Sequence, residues 1–349
     1  MKKELSFFGI ETTVESDILE FLVVLEQSLT FFKESDNKNI QFVQNKKLFV
    51  TFLSKKKISA HSIKTGFSKI GTAAFLKEKE YCYVSRDLVV QMKDTDGNLS
   101  ILAQYRLPDS LKDWLKGVVK NRISRYRLDL FFLIRILVLF PIFMILEREK
   151  SCFLLHGSAV EYNGKGIIFA GLANIGKSVA ALSLTLDKEA KFLSDNFLIF
   201  DENYVYPFPE YIRLSDDTLK LITNISKLGK SLLRRFNRNY YILNKQYISP
   251  RTLPEILFIP RFSKDSFIKQ ITTETAIDRL LLANDHVKEF HNYHHSSLLN
   301  YSYYEDKAVY KNRIETLEKL LSNVSCYEIG ICKSTRPAEF LAGIINDVS

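Results

Sequence analysis

The residues with the clearest chemistry are Gly171-Leu172-Ala173-Asn174-Ile175-Gly176-Lys177-Ser178. In a G-x-x-x-x-G-K-S pattern the backbone N–H groups cradle phosphates, the lysine reaches the β/γ-phosphates and the serine hydroxyl holds Mg²⁺. Gly171, Asn174, Ile175, Gly176, Lys177 and Ser178 are therefore the expected phosphate-binding residues, and a nucleotide is the expected ligand. Asn174 suits such a loop because asparagine visits left-handed geometry more readily than most residues. Downstream, Asp195 in Leu193-Ser194-Asp195-Asn196 supplies a carboxylate that could reach Mg²⁺ or a substrate hydroxyl.

These side chains need elements to hold them. Gly166-Ile167-Ile168-Phe169-Ala170 is a short apolar run that predicts the strand before the loop. Residues 178–184 have helix-forming content, and a helix starting there would point its dipole at the phosphates. Upstream, Phe153-Leu154-Leu155-His156-Gly157-Ser158-Ala159-Val160 precedes Asn163-Gly164. Asn-Gly between two apolar runs predicts a tight hairpin, because both turn positions need positive φ. The loop strand is thus expected as the second arm of an antiparallel hairpin, where an ordinary doubly wound domain has a parallel strand. Residues 191–200 read as one further strand with Asp195 near its start. Asp201-Glu202, after the apolar run 197–200, forms a rival acidic pair of the kind that holds Mg²⁺ in mechanical ATPases. Its closeness to the loop argues for Asp195 instead.

Leu155-His156-Gly157-Ser158-Ala159-Val160, then residues 171–178, then Leu193-Ser194-Asp195-Asn196 resemble, in order and spacing, the HPr kinase/phosphorylase superfamily. Diverged HPr-kinase-like proteins are most similar, and Tyr206-Pro207-Phe208-Pro209 and Arg213-Leu214 also look like that subgroup. The resemblance covers residues 126–349. It implies an α/β fold with a P-loop core of the phosphoenolpyruvate carboxykinase/HPr kinase type and a mixed sheet. It also implies an ATP-dependent kinase that moves the γ-phosphate to a hydroxyl of a protein, peptide or small molecule, with ATP and Mg²⁺ as cofactors. Carried over by position, Lys177 would bind the β/γ-phosphates, Ser178 and Asp195 would serve the metal, and His156 would sit beside the transferring phosphate. Asp195, His156 and Lys177 are then the catalytic set. The family's acidic pair is Asp-Asp, whereas the second position here is Asn196. Asparagine cannot act as a general base, which supports a catalytically impaired nucleotide-binding regulator as one alternative; net charge and Asp201-Glu202 support a nucleic-acid-associated NTPase as another.

Residues 1–125 read as a separate α/β module with no catalytic signature, suited to recognising a substrate or partner. A helix is expected over residues 18–32 and strands over 41–43, 48–53, 80–85, 88–92 and 99–104, with a turn at Asp94-Thr95-Asp96-Gly97-Asn98. A basic linker, about 112–127, joins this module to the core. The core continues through a strand at 255–259, helices at 274–282 and 311–321, a strand at 326–331 and a closing helix at 338–345 behind Pro337. The apolar run 130–146 is slightly short for a membrane span and is broken by Arg135 and Pro141, so it predicts a buried helix.

Of 349 residues, 46 % are hydrophobic and 26 % charged, the balance of a globular protein; 13 glycines and 8 prolines are too few for long low-complexity tracts. The net charge of +9 permits nucleic acid, anionic or acidic partners without choosing among them. Basic residues concentrate at Lys112, Lys116, Lys120, Arg122, Arg125 and Arg127, and again from Lys227 to Lys245 among Phe236, Tyr240 and Tyr241. The second stretch reads as a solvated helix face or, less simply, as a nucleic-acid or acidic-substrate surface. Cys82, Cys152, Cys326 and Cys332 lack metal-ligand spacing. With no secretory pattern at Met1-Lys2-Lys3-Glu4, they read as reduced thiols of a cytoplasmic protein. His286, His291, His294 and His295 read as a polar loop. Assembly as a homo-oligomer is expected from the resemblance alone.

Overall fold

The computed structural model describes residues 1–34, 40, 42–55, 67–69, 73–85, 87–106, 122–149, 152–208, 210–228, 233–235, 238–241, 243–285, 307–332 and 337–348. The chain divides into two compact units. One takes Met1–Ser28, Lys38–Ser151 and Lys288–Tyr310; the other takes Leu29–Asn37, Cys152–Val287 and Lys311–Ser349. The first unit thus runs past residue 125, where the sequence suggested a boundary. The four late histidines and most of the 112–127 linker lie outside the described residues.

In the first unit, alternating burial builds an eight-stranded sheet. Its strands are β1 (Lys2–Phe7), β2 (Ile10–Ser16), β3 (Lys46–Lys55), β4 (Ser68–Lys69), β5 (Ala74–Lys77), β6 (Glu80–Val84), β7 (Leu88–Thr95) and β8 (Asn98–Arg106). Their order is β1-β2-β3-β8-β7-β6-β5-β4. β2, β3 and β8 run parallel, and the helix Leu19–Glu34 makes the β2–β3 crossover. The β7–β8 turn is the expected one, with Asp96 and Gly97 at positive φ and Gly97 N donating to Asp94 Oδ1 at 3.0 Å. Residues 42–43 are not a strand: both amides donate to the Phe8 carbonyl, over a Phe8-Gly9 turn that the sequence did not announce.

The apolar run forms a helix over Arg122–Ile134, a π-helical segment over Arg135–Leu139 and a second helix over Phe140–Arg148, with Pro141 in its first turn. By length and composition Asp129–Arg148 could cross a membrane; 89 % of its most apolar window is buried inside the fold. Arg135 is buried with it, its guanidinium 5.4 Å from the Phe140 ring centroid.

The second unit is α/β with mixed parallel and antiparallel pairing. Its strands are β9 (Phe153–Leu155), β10 (Gly157–Tyr162), β11 (Lys165–Ala170), β12 (Lys191–Ser194), β13 (Leu198–Phe200), β14 (Val205–Pro207), β15 (Ile212–Ser215), β16 (Leu233–Arg235), β17 (Arg238–Tyr241), β18 (Pro254–Ser263), β19 (Phe267–Gln270) and β20 (Ser325–Cys332). The main sheet has the order β12-β10-β11-β18-β20-β19. β10 and β11 form the expected hairpin, with Asn163 and Gly164 at φ 53° and 79°. β11, β18 and β20 are mutually parallel in sequence across the sheet. One face carries the helices Lys177–Lys188 and Pro337–Asp347 over a core of Val160, Ile167, Phe169, Leu184, Phe258 and Ile329.

Two sequence expectations are corrected. Residues 191–200 are two strands, not one, because Asn196 takes a left-handed φ of 74° and turns the chain. The basic stretch after Lys227 holds strands β16 and β17 where a solvated helix face was expected, since β17 pairs with β15 and sinks Tyr240 and Tyr241 into the core.

Candidate active site

The site lies where two neighbouring strands change sheets together. β10 pairs with β12 in the main sheet, while β9 pairs with β13 in a small sheet of order β14-β13-β9. The chain passes from β9 to β10 through His156, and from β12 to β13 through residues 195–197. At this double crossing Gly157 N donates to the Asn196 carbonyl at 3.3 Å. Gly157 has no room for a side chain: a Cβ there would lie 2.9 Å from the Phe169 carbonyl oxygen.

Asp195 therefore stands just past the end of β12, not near the start of a strand. Its Oδ1 accepts two hydroxyls, Ser158 Oγ at 2.6 Å and Ser178 Oγ at 2.6 Å. Three segments converge on one carboxylate oxygen: β10, the start of the Lys177–Lys188 helix and the β12 crossing. Ser158 was not singled out from the sequence. A small buried hydroxyl within an apolar strand looks like filler until its partner is known.

Residues 171–176 connect β11 to the helix. Gly171 and Gly176 have φ of 130° and 97°, and Asn174 adopts a left-handed φ of 61°. Gly176 gives the helix no side-chain cap, and the helix dipole favours an anion at this end. Lys177 is 6 % exposed. Its Nζ donates to the carbonyls of Gly171 at 2.9 Å and Leu172 at 2.6 Å. Burial pushes its ammonium down to about 8, against the opposing pull of the Asp195 charge.

His156 is buried at the β9–β10 crossing. Its backbone N–H donates to Asn284 Oδ1 at 2.8 Å, Asn284 Nδ2 returns to the Leu154 carbonyl at 3.0 Å, and its ring meets Phe197 edge-on at 5.8 Å. Asn196 does not face the role that a second acid would play. Its Nδ2 donates to Glu210 Oε2 at 3.3 Å, and the buried Glu210 also lies 3.8 Å from Arg213 Nε.

The rival acidic pair is used elsewhere. Asp201 accepts the amides of Asn203 and Tyr204 and the Tyr206 hydroxyl, closing the β13–β14 hairpin. Glu202 is exposed and paired with Lys319 at 2.5 Å. The strand before them belongs to the small sheet, away from the loop strand's ladder. Among the described residues no cluster of three or more His, Cys, Asp or Glu forms.

No protein-family model matches the chain, and no curated protein matches it. Among solved structures it is similar to the Hpr(Ser) kinase/phosphatase from Coxiella burnetii, at 12 % identity and a TM-score of 0.27, over 56 % of this chain and 95 % of that one.

Proposed function

We propose that this chain binds ATP with Mg²⁺ at residues 171–178 and transfers the γ-phosphate to a hydroxyl of a protein, peptide or small molecule, as an HPr-kinase-like phosphotransferase. The observation that carries the reading is the convergence of Ser178 and Ser158 on Asp195 Oδ1 at the opening of a G-x-x-x-x-G-K-S helix. Phosphoryl transfer asks the protein for positioning and charge neutralisation more than for covalent chemistry. Each part has a candidate here.

The residues fit a magnesium site: Ser178 and Asp195 are hard oxygen donors in contact, and Mg²⁺ keeps most of its waters and takes only one or two protein ligands. Bound there, the ion would neutralise charge on the β- and γ-phosphates. Ser178 would exchange its bond to Asp195 for the metal. Ser158 would keep Oδ1 fixed, leaving Oδ2, which takes no hydrogen bond from the described residues, for the acceptor hydroxyl. Lys177 would exchange the Gly171 and Leu172 carbonyls for phosphate oxygens. His156 would border the transferring group from the β9–β10 crossing.

A second reading, a nucleotide-binding regulator without turnover, is favoured by Asn196, which supplies an amide to Glu210 where the family has a carboxylate. The two separate in one assay. Wild type and Lys177→Ala are incubated with γ-labelled ATP and Mg²⁺ against protein, nucleic-acid and metabolite fractions of host extract. The kinase reading expects label in one fraction, lost in the variant. Confirmed ATP binding with no label in any fraction would leave the regulator.

A further inference from the structure

The phosphate loop reads no base, so the nucleoside must be held by something beyond it. Three observations place that something on β18. First, β18 is parallel to β11 and outruns it: Phe169 lies opposite Phe258, so residues 260–263 continue past the end of β11, next to the loop. Ligands of parallel α/β sheets sit in the crevice outside the carboxyl ends of the strands. Second, the sheet order fixes the direction of the nucleotide. Asp195 and Ser158 lie on the β12–β10 side of β11, and β18 lies on the other side. A metal-bound β/γ end held at Asp195 turns the nucleoside end towards β18. Third, the extension presents a ring there. Phe262 is 45 % exposed, although it belongs to the same strand face as the buried Ile256 and Phe258, the face that carries the Lys177–Lys188 helix. A methyl group placed on Gly176 would lie 3.6 Å from Phe262 Cζ and 3.7 Å from Ile331 Cδ1. The ring therefore borders the last glycine of the loop and still faces outward.

The geometry points to Phe262 as the platform on which the nucleobase of the bound nucleotide stacks, a subsite that rests on the phosphate-site reading above. An aromatic ring recognises the π-face of a base and tolerates its identity, since every base has such a face. The site therefore takes nucleoside triphosphates with little discrimination among bases, adenine and guanine included.

The test compares Mg²⁺-ATP with Mg²⁺-tripolyphosphate, which keeps the phosphate chain and lacks the nucleoside, by calorimetry on the full chain. In wild type, ATP binds more tightly than tripolyphosphate, and GTP matches ATP within a few-fold. Phe262→Ala lowers ATP affinity about tenfold, the scale of one base–aromatic stack, and leaves tripolyphosphate affinity unchanged; Phe262→Tyr restores ATP. In Phe262→Trp, fluorescence changes with ATP and not with tripolyphosphate. If Phe262→Ala leaves ATP binding intact, or weakens both ligands equally, the base is held elsewhere and the proposal fails while the phosphate site stands. If wild type binds neither ligand, the phosphate-site reading itself fails.

Discussion

At the scale of single residues, Lys177 is the most informative side chain, because its environment works against its charge. It is buried, and among the described residues the loop carbonyls and the Asp195 charge favour the ammonium. Triphosphate oxygens would favour it further, since a nearby opposite charge stabilises the charged form. Burial brings the lysine of the free protein down to about 8; in the proposed nucleotide complex it would stay protonated. The sign follows: above pH 8 the free lysine is mostly neutral, so binding must take up a proton. Affinity for Mg²⁺-ATP should fall as pH rises from 7 to 9, approaching tenfold per pH unit at the upper end. Calorimetry at pH 8.5, in buffers of different ionisation heat, should show uptake of about three-quarters of a proton. Equal affinity across that range would contradict this account of the lysine. The residue types and spacing of Gly171, Gly176, Lys177 and Ser178 were legible as a phosphate-loop pattern, and the structure sets them in the turn between β11 and the Lys177–Lys188 helix. Ser158 was not, because its meaning is a 2.6 Å hydrogen bond to a residue 37 positions away.

At the scale of elements, the decisive feature is the paired crossing of β9–β10 and β12–β13 between two sheets. Asn163-Gly164 foretold one hairpin because a tight turn is a local event. Residues 191–200 gave no such signal, since an apolar run reads as continuous whichever sheet each half joins. The break shows only through Asn196, whose left-handed φ is the kind asparagine tolerates. That also explains why a carboxylate is ill suited to position 196 in this chain. Asn196 donates to the buried Glu210. Asn196→Asp removes the donor and sets a like charge beside a buried carboxylate. The expected cost is about 1.5–3 kcal/mol of stability, the range for one lost hydrogen bond to a charged group, read as a lowered urea midpoint with an unchanged m-value. Stability equal to wild type would mean that the Asn196–Glu210 contact holds nothing together.

At the scale of the whole molecule, composition and charge bounded the class and no more. A net charge of +9 named no partner, and two of the aromatics that made the second basic stretch resemble a nucleic-acid surface, Tyr240 and Tyr241, are core residues of the second unit. The expected α/β character of both halves is seen, yet the first unit extends to Ser151 and takes in the apolar helical run. Hydrophobic patterning marked that run as buried but could not assign it to a unit, because apolar surface is covered without regard to chain position. The second unit holds the candidate site residues Gly171 to Ser178, His156, Ser158 and Asp195. Under the proposed function, residues 171–178 of this unit hold the nucleotide and Asp195 readies the acceptor. The most direct measurement uses the full chain, wild type and Asp195→Ala, with Mg²⁺-ATP affinity and single-turnover transfer from γ-labelled ATP read on the same preparations with the labelled fraction as acceptor. The prediction is an affinity within about tenfold of wild type, the net cost of about one ordinary hydrogen bond, and a transfer rate reduced by at least about a hundredfold. Transfer at the wild-type rate in Asp195→Ala would contradict the claim.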